Sequence, residues 1–273
     1  MQSARFAAMM STMILDKGQY SGNIRQWKEY RGLIASQTTY EHDYNTALHS
    51  HEHPHVSFIL QGGNIEYRGA ETIIRNTNEV TFYHSGELHK TLPVTSQTRN
   101  LNLEIDTAFL LENGFSEAQL NTVIRNNPDS NLFLLKMQSE IHLNDQLTES
   151  ALHGLLFRFL TGTKVKNYRN IPWCVKVHEL INDHWNCPQN LADLSVEIGV
   201  HPVTISKYFA RYFGCTLSEY IRKLRIQKSL PLIKNSDYSL TEIALLCGFA
   251  DQSHFIRVFK SHTGISPKNY RNL

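Results

Sequence analysis

Residues 49–55 read HSHEHPH and place four histidines on alternate positions: His49, His51, His53 and His55. Imidazole is the commonest metal-binding side chain and the one whose charge changes near neutral pH. Three neutral imidazoles could hold Zn²⁺ or Fe²⁺ and leave coordination positions open. The stretch therefore admits three interpretations: a ligand pocket without metal, a metal site, or structural histidines at a strand surface.

A second set of chemically capable residues lies in two copies of one unit near the C-terminus. Residues 191–223 align with residues 240–272 at an offset of 49, which becomes 50 after one insertion. Each copy predicts a short helix, a glycine turn and a second helix, which is the pattern of a helix-turn-helix. Matched pairs include Leu191 with Leu240, Gly199 with Gly248, Phe209 with Phe259, Gly214 with Gly264, and Tyr220 with Tyr270.

Capping residues define where these helices begin and end. Asn190 is predicted to cap the first helix, Gly199 to end it, and Pro202 to begin the second. The second copy has the corresponding signals, namely a capping box at Ser239 and Glu242, a terminator at Gly248 and an N-cap at Asp251.

In each copy the second helix has one apolar and one polar face. Side chains of the polar faces suit base edges, because Arg and Lys pair with guanine, Gln pairs with adenine, and Val or Ile contacts a thymine methyl. The alternative is an ordinary solvated helix face. The predicted DNA-binding residues are Val203, Thr204, Ser206, Lys207 and Arg211, then Gln252, Ser253, Ile256, Arg257 and Lys260.

The string EIALLCGFADQSHFIRVFKSHTGISPKNYR (242–271) resembles the most specific motif of the AraC/XylS family of bacterial transcription regulators. The resemblance implies recognition helices at 202–212 and 252–261, joined by a long helix at about 217–235. Pro231 stands inside that joining helix, where the family keeps a helix former. Its ring removes one helix hydrogen bond, at a cost of about 3 kcal/mol, so we expect a kink near 227–231.

Upstream, HSHEHPHVSFILQGG and EVTFYHSGELHKTL resemble the two motifs of a cupin barrel. On this alignment His51 and His53 fit the H-x-H element and His89 fits the last histidine, but Ser57 or Phe58 replaces the glutamate. The resemblance implies a degenerate cupin that senses an effector without metal or other cofactor; the alternative is a metal site at His51, His53 and His89. The predicted pocket is lined by His51, His53, Tyr67, Tyr83 and His89, with Glu87 nearby.

The elements that must position these residues follow from periodicity. Short apolar runs at 56–60, 65–69, 72–75, 80–84 and 101–105 predict an antiparallel barrel or sandwich. Helical periodicity follows, with an apolar stripe that either packs internally or forms a subunit interface: Leu152, Leu155, Leu156, Phe159 and Leu160. The predicted organisation is a loosely ordered leader (1–25), a cupin-like barrel (26–107), a helical segment (108–162), a linker (163–170) and a DNA-binding domain (171–273).

Charge and composition agree with this α+β multidomain fold. Residues 171–273 hold 12 Lys and Arg against 8 Asp and Glu, a mild excess that suits a polyanion partner. No apolar run approaches the roughly 20 residues that span a bilayer. Four cysteines without a CxxC pair favour a reduced, cytoplasmic protein.

The predicted function is a sequence-specific DNA-binding regulator that activates transcription, and not an enzyme. Its expected partners are a double-stranded operator, a small polar effector such as a sugar or small acid, a second copy of the chain and RNA polymerase, with no membrane. The alternative is a metal-dependent cupin enzyme, an oxygenase or isomerase, fused to a DNA-binding tail.

Overall fold

β-Branched and aromatic residues separated by turn residues produce short strands in the first part of the chain. The computed structural model describes residues 13–41, 46–93, 97–162 and 171–273. The strands of these residues are β1 (Met13–Leu15), β2 (Asn23–Tyr30), β3 (Leu33–Glu41), β4 (His49–His51), β5 (His55–Gln61), β6 (Gly63–Arg68), β7 (Glu71–Asn76), β8 (Val80–Tyr83), β9 (His89–Pro93) and β10 (Gln97–Ile105).

Helices follow the last strand. They are α1 (Thr107–Glu112), α2 (Glu117–Asn126), α3 (Ser130–Leu143), α4 (Thr148–Thr161), α5 (Pro172–Asp183), α6 (Leu191–Ile198), α7 (Pro202–Phe213), α8 (Leu217–Asn235), α9 (Leu240–Leu246), α10 (Gln252–Thr263) and α11 (Pro267–Asn272). In the described part of the chain, no helix is both long and apolar enough to cross a membrane.

The chain divides into two compact units. The N-terminal unit comprises the residues through Leu134 together with Glu140–His153, and the C-terminal unit comprises Leu135–Ser139 with Gly154–Leu273. The first is rich in strands and the second is helical. The predicted linker at 163–170 lies outside the described residues.

The ten strands form two five-stranded sheets. Strand order is β1-β4-β9-β6-β7 in one sheet and β2-β3-β10-β5-β8 in the other, and every pair is antiparallel except β1 with β4. The predicted antiparallel strands are therefore present. Among the described residues the strand pairs stay within these two sheets, so closure into a cupin-like barrel remains a prediction.

The second sheet has a polar face, which follows from the alternation of side chains along a strand. Asn102 on β10 lies opposite Ser57 on β5 and Ser36 on β3. Ser57 Oγ donates to Asn102 Oδ1 at 2.9 Å, and Asn102 Nδ2 donates to Thr38 Oγ1 at 3.1 Å. These buried polar groups thus satisfy one another, while the neighbouring positions carry the apolar core residues Val56, Phe58, Leu101 and Leu103.

The predicted leader is wrong over residues 13–25. β1 pairs with β4 through Leu15 and His51, and the Gly18 amide donates to the buried Glu104 carboxylate at 3.0 Å. A three-residue strand such as MIL carries too little periodicity to be recognised, although its backbone completes a sheet edge. Residues 1–12 lie outside the described residues.

The helical unit repeats one packing scheme. Ile205, Phe209, Phe255 and Phe259 are all fully buried, as the apolar faces of the two second helices require. The predicted caps are confirmed, including those at Asn190 and Asp251 and the box at Ser239 and Glu242.

One half-buried arginine ties the two repeats together. Arg225 on α8 donates to the carbonyl oxygens of Trp185 at 3.0 Å, Cys187 at 2.9 Å and Gly248 at 2.6 Å. Gly248 has a φ of +74°, and a Cβ there would lie 2.2 Å from the Asn186 carbonyl oxygen, so only glycine fits this turn. The joining helix runs through Pro231 to Asn235, and the expected kink stays a prediction.

Candidate functional site

A cluster of imidazole rings fills the space between the two sheets. His49 on β4 lies opposite His89 on β9, and their ring centroids are 4.4 Å apart. His51 follows two positions later on the same face and is 5.3 Å from His49 and 5.4 Å from His89. His55 on the opposite sheet lies 4.2 Å from His51 and stacks on Tyr83, its cross-strand partner, at 4.4 Å. The cluster is thus built from both sheets.

Three of these side chains converge as metal ligands would. One ring nitrogen from each of His49, His51 and His89 lies within 4.8 Å of the others, and all three residues are buried. The Nδ1 atom of His49 is 2.8 Å from the Ala47 carbonyl oxygen, and that of His89 is 3.0 Å from the Glu87 carbonyl oxygen. A carbonyl only accepts, so Nδ1 carries the proton in both rings and Nε2 keeps its lone pair.

Burial keeps the cluster neutral. Desolvation, followed by repulsion from His89 and His49, lowers the pKa of His51 to about 2. Desolvation and the charge of His49 lower the pKa of His89 to about 3, and burial also lowers the pKa of His49 and His55. At neutral pH the rings are therefore lone-pair donors rather than cations.

Two predicted pocket residues lie elsewhere. His53 is half-buried in the turn between β4 and β5, outside the group of converging nitrogens, and His49 takes the place predicted for it. Tyr67 follows Glu66 on β6 and, by strand alternation, points to the opposite face from the fully buried Glu66. The converging pair is therefore His49 and His51 rather than the predicted His51 and His53. The sequence around Pro54 does not show where β4 ends and β5 begins.

The remaining lining residues were not predicted as pocket residues. Tyr20 contacts His51 at 5.0 Å and His55 at 5.6 Å between centroids. Glu104 lies opposite His55 in the sheet, and burial raises the pKa of its carboxyl to about 7. The alternating pattern of β10 could have indicated Glu104, whereas no local signal marks Tyr20.

A charged network borders the cluster. Arg68 lies 4.2 Å from the centre of the Tyr83 ring, pairs with the fully buried Glu66, and donates to Glu87 at 3.2 Å. Arg75 donates to the other oxygen of Glu66 at 3.1 Å. Two guanidinium groups thus share the buried Glu66 carboxylate, Glu87 balances the second positive charge, and these contacts fix Arg68 over the Tyr83 ring.

His84 serves a different purpose from the cluster histidines. Its Nδ1 contacts Glu117 at the start of α2, and Asn121 Nδ2 donates to its Nε2 at 2.9 Å. Both ring nitrogens are therefore engaged with α2, and His84 anchors that helix to the end of β8.

The predicted polar faces of α7 and α10 lie on the surface of the helical unit. On α7, Val203 is 65% exposed, while Ser206, Lys207 and Arg211 are exposed and Thr204 is half-buried. On α10, Ser253, Ile256, Arg257 and Lys260 line a shallow surface depression together with Ser261. Thr241 Oγ1 donates to Gln252 Oε1 at 2.9 Å, which orients that amide at the beginning of the helix.

Comparisons with known proteins bear on the same region. The model of a family described as a helix-turn-helix domain matches residues 194–273, which begin within α6 and so include all but the first three residues of the first repeat and the whole of the second. The chain is 20% identical over 252 residues to the HTH-type transcriptional activator RhaR of Mannheimia succiniciproducens, covering 82% of this chain and 87% of that protein. The chain is a DNA-binding transcription regulator, and it is similar to regulators of the AraC/XylS family.

Two further similarities cover a smaller share of this regulator. It is 29% identical over 102 residues to the HTH-type transcriptional regulator GbdR of Pseudomonas aeruginosa, covering 37% of the regulator and 28% of GbdR. A solved AraC-type transcriptional regulator from Chromobacterium violaceum is 25% identical, covers 39% of the regulator and 95% of that chain, and has a TM-score of 0.37. The relatives named here are all described as transcription regulators.

Proposed function

We propose that this regulator reads duplex DNA with the exposed faces of α7 and α10 and adjusts that binding to a small polar ligand held between its two sheets. The observation that carries the proposal is the combination of two matched, solvent-facing recognition helices with a buried interior lined by polar groups. Cores made for stability alone are apolar, and a buried polar group is costly unless it is satisfied.

The DNA interface consists of the two faces already described. Arg257 and Lys207 can donate to guanine, Gln252 can pair with adenine, and Val203 and Ile256 can contact thymine methyl groups. Arg225 holds the turn after α9 against the loop before α6, which fixes one recognition helix relative to the other. Two helices carried by one spine suit successive major-groove segments on one face of the duplex.

The ligand site combines the imidazole cluster with Tyr20, Tyr83 and Glu104. These groups offer both donors and acceptors, which suits a hydroxylated or carboxylated small molecule such as a sugar or a small acid. The polar face at Ser57 and Asn102 extends the same interior. Closure of the two sheets into a cupin-like barrel would enclose this site.

The further parts of the proposal are activation of transcription through RNA polymerase, work as a homodimer and a place in the cytoplasm with the DNA. We expect the apolar stripe of α4 to pack internally rather than to form the dimer interface, because Leu152, Leu156, Phe159 and Leu160 are buried within one chain and Leu155 is half-buried. An exposed surface elsewhere would have to serve.

A metal-dependent cupin enzyme is the second candidate, and the converging His49, His51 and His89 favour it. Among the described residues this group includes no carboxylate, and the chain's relatives are regulators. Turnover by the metal-loaded full chain with oxygen and small hydroxy acids would support the enzyme, and none is expected.

Selection of binding sites from a random duplex library by the full-length chain tests the DNA proposal. We expect an enriched sequence with two blocks about 10–10.5 base pairs apart, both protected in footprints from the major groove. Uniform affinity for all duplexes, lost equally as salt is raised, would contradict it.

Thermal melting of the full chain with sugars and small carboxylic acids tests the ligand proposal. A ligand of the proposed kind raises the melting temperature of the wild type and has a smaller effect on His55→Leu. Leu147→Ala, at an exposed site, is the control. If the ligands change the melting temperature of neither the wild type nor His55→Leu, or change both equally, the result would count against this site.

A further inference from the structure

The three converging histidines bring together three nitrogen lone pairs. The ring nitrogens of His49, His51 and His89 lie within 4.8 Å of one another in a buried space. Lone pairs that point toward one another repel unless an acceptor of electron density lies between them. We propose that His49, His51 and His89 bind one divalent transition-metal ion of the Zn²⁺, Fe²⁺ or Ni²⁺ class.

The backbone sets the tautomers that such a site needs. The Ala47 and Glu87 carbonyl oxygens take the Nδ1 protons of His49 and His89, so each Nε2 faces the cluster as an unprotonated donor. A carbonyl on the far nitrogen of a metal-ligating histidine holds the ring orientation and raises its basicity. Both carbonyls come from residues two positions earlier, so the strand ends supply this support locally.

Unsatisfied ring nitrogens point to the same conclusion. Nδ1 of His51 and Nδ1 of His55 are buried and have no hydrogen-bond partner, although His51 is 3% and His55 2% exposed. A buried polar atom without a partner costs about 1–3 kcal/mol, and two in contact are unusual in a folded core. A bound ion would coordinate a ring nitrogen of His51 and so offset part of this cost.

The donor chemistry selects the class of ion. Imidazole nitrogens favour Zn²⁺, Fe²⁺, Ni²⁺ and Cu²⁺, whereas Mg²⁺ and Ca²⁺ prefer oxygen donors. Zn–N bonds of about 2.0–2.1 Å place ligand nitrogens less than about 4 Å apart, and the three rings are already gathered within 4.8 Å. Three neutral ligands leave the full +2 charge, and the open positions would therefore accept water or an anionic oxygen.

The metal-site proposal depends only on these residues, whereas any role of the metal in regulation rests on the proposed function.

The full-length chain, stripped with a chelator and dialysed, would be titrated with Co²⁺, whose visible absorption reports nitrogen ligands in a low-coordinate site. We expect saturation at one equivalent, and His49→Gln and His89→Gln to bind at least about 100-fold more weakly. His53→Gln is the matched control, because it removes the neighbouring half-buried imidazole outside the group, and it should bind like the wild type.

A second measurement, made on the wild type alone, tests the proposal if circular dichroism shows that a variant does not fold. In the Co²⁺-loaded wild type, proton NMR should show three strongly shifted, exchangeable ring N–H signals, one for each ligating histidine. Absence of the visible band in the wild type, equal loss in His53→Gln, or no shifted N–H signals would overturn the proposal.

Operator binding measured on the metal-free and metal-loaded full chain separates the two proposals. A protein that takes up no metal but still responds to an organic ligand would refute the metal site and leave the proposed function intact. A protein that binds metal but loses all sequence-selective DNA binding in both states would refute the proposed function and leave the metal site intact.

Discussion

Arg257 contributes one exposed guanidinium on α10 to the proposed recognition of DNA. Its side chain lines the surface depression of that helix, and a bidentate contact to guanine discriminates against other bases by about 1–3 kcal/mol. We expect Arg257→Ala to lose preference at one base pair by that amount while retaining preference elsewhere, measured by competition binding against single-base operator variants.

Lys268→Ala is the control for this substitution. Lys268 is exposed on α11 outside both recognition helices, so its loss removes the same unit of charge without altering a reading face. It should weaken binding to all sequences alike. If Arg257→Ala behaves as Lys268→Ala does, the guanidinium contacts phosphate rather than a base.

The buried histidines predict how stability depends on pH. The unfolded chain protonates them near their ordinary pKa of 6.5, whereas the folded pKa of His51 is about 2 and that of His89 about 3. Below pH 6.5 the unfolded state therefore binds more protons, and the free energy of unfolding falls as the pH drops through this window. Each such histidine contributes a slope of about 1.4 kcal/mol per pH unit.

Glu104 acts in the opposite direction. Its folded pKa is about 7, above that of the unfolded carboxyl, so it favours the folded state below pH 7 and offsets one histidine. Denaturant melts of the chelator-treated full chain should show stability falling between pH 6.5 and 5, and His51→Gln should reduce the slope. A stability that is flat across this range would contradict the neutral cluster.

At the scale of elements, α4 separates internal packing from a subunit interface. Leu156 is fully buried in the single chain, and Leu152, Phe159 and Leu160 are also buried, whereas Leu155 is half-buried. We expect Leu156→Glu to destabilise the fold by at least about 3 kcal/mol, because a charge is buried without a partner. Thermal melting measures this loss directly.

Leu147→Glu supplies the comparison. Leu147 is 72% exposed just before α4, so the same substitution there should change stability by less than about 0.5 kcal/mol. A folded, monomeric Leu156→Glu with unchanged melting and a smaller size on gel filtration would instead show that the stripe is an interface.

At the scale of the whole molecule, the two units have separate cores. Phe58 belongs to the strand-rich unit and Phe209 to the helical unit, and each is fully buried. Truncating either to Ala should cost about 3–5 kcal/mol in its own unit. Calorimetry of the full chain should show two transitions, with Phe58→Ala lowering one and Phe209→Ala the other. A single transition lowered equally by both would show that the units unfold together.

The sequence by itself determined the helical unit almost completely. Helix starts at Asn190, Ser239 and Asp251 were predicted correctly because a cap acts over three residues, which one segment of chain contains. The repeat independently specified which face is buried. The positions of α7 and α10 on the surface followed from the same periodicity.

Only the tertiary structure decided the composition of the histidine cluster. His49 and His89 meet because β4 pairs with β9, and His55 reaches His51 from the other sheet. These pairings join residues far apart in sequence, and Pro54 interrupts the alternation that would have carried strand parity from His51 to His55. A local pattern can show that imidazoles alternate, but the register between strands decides which of them share a space.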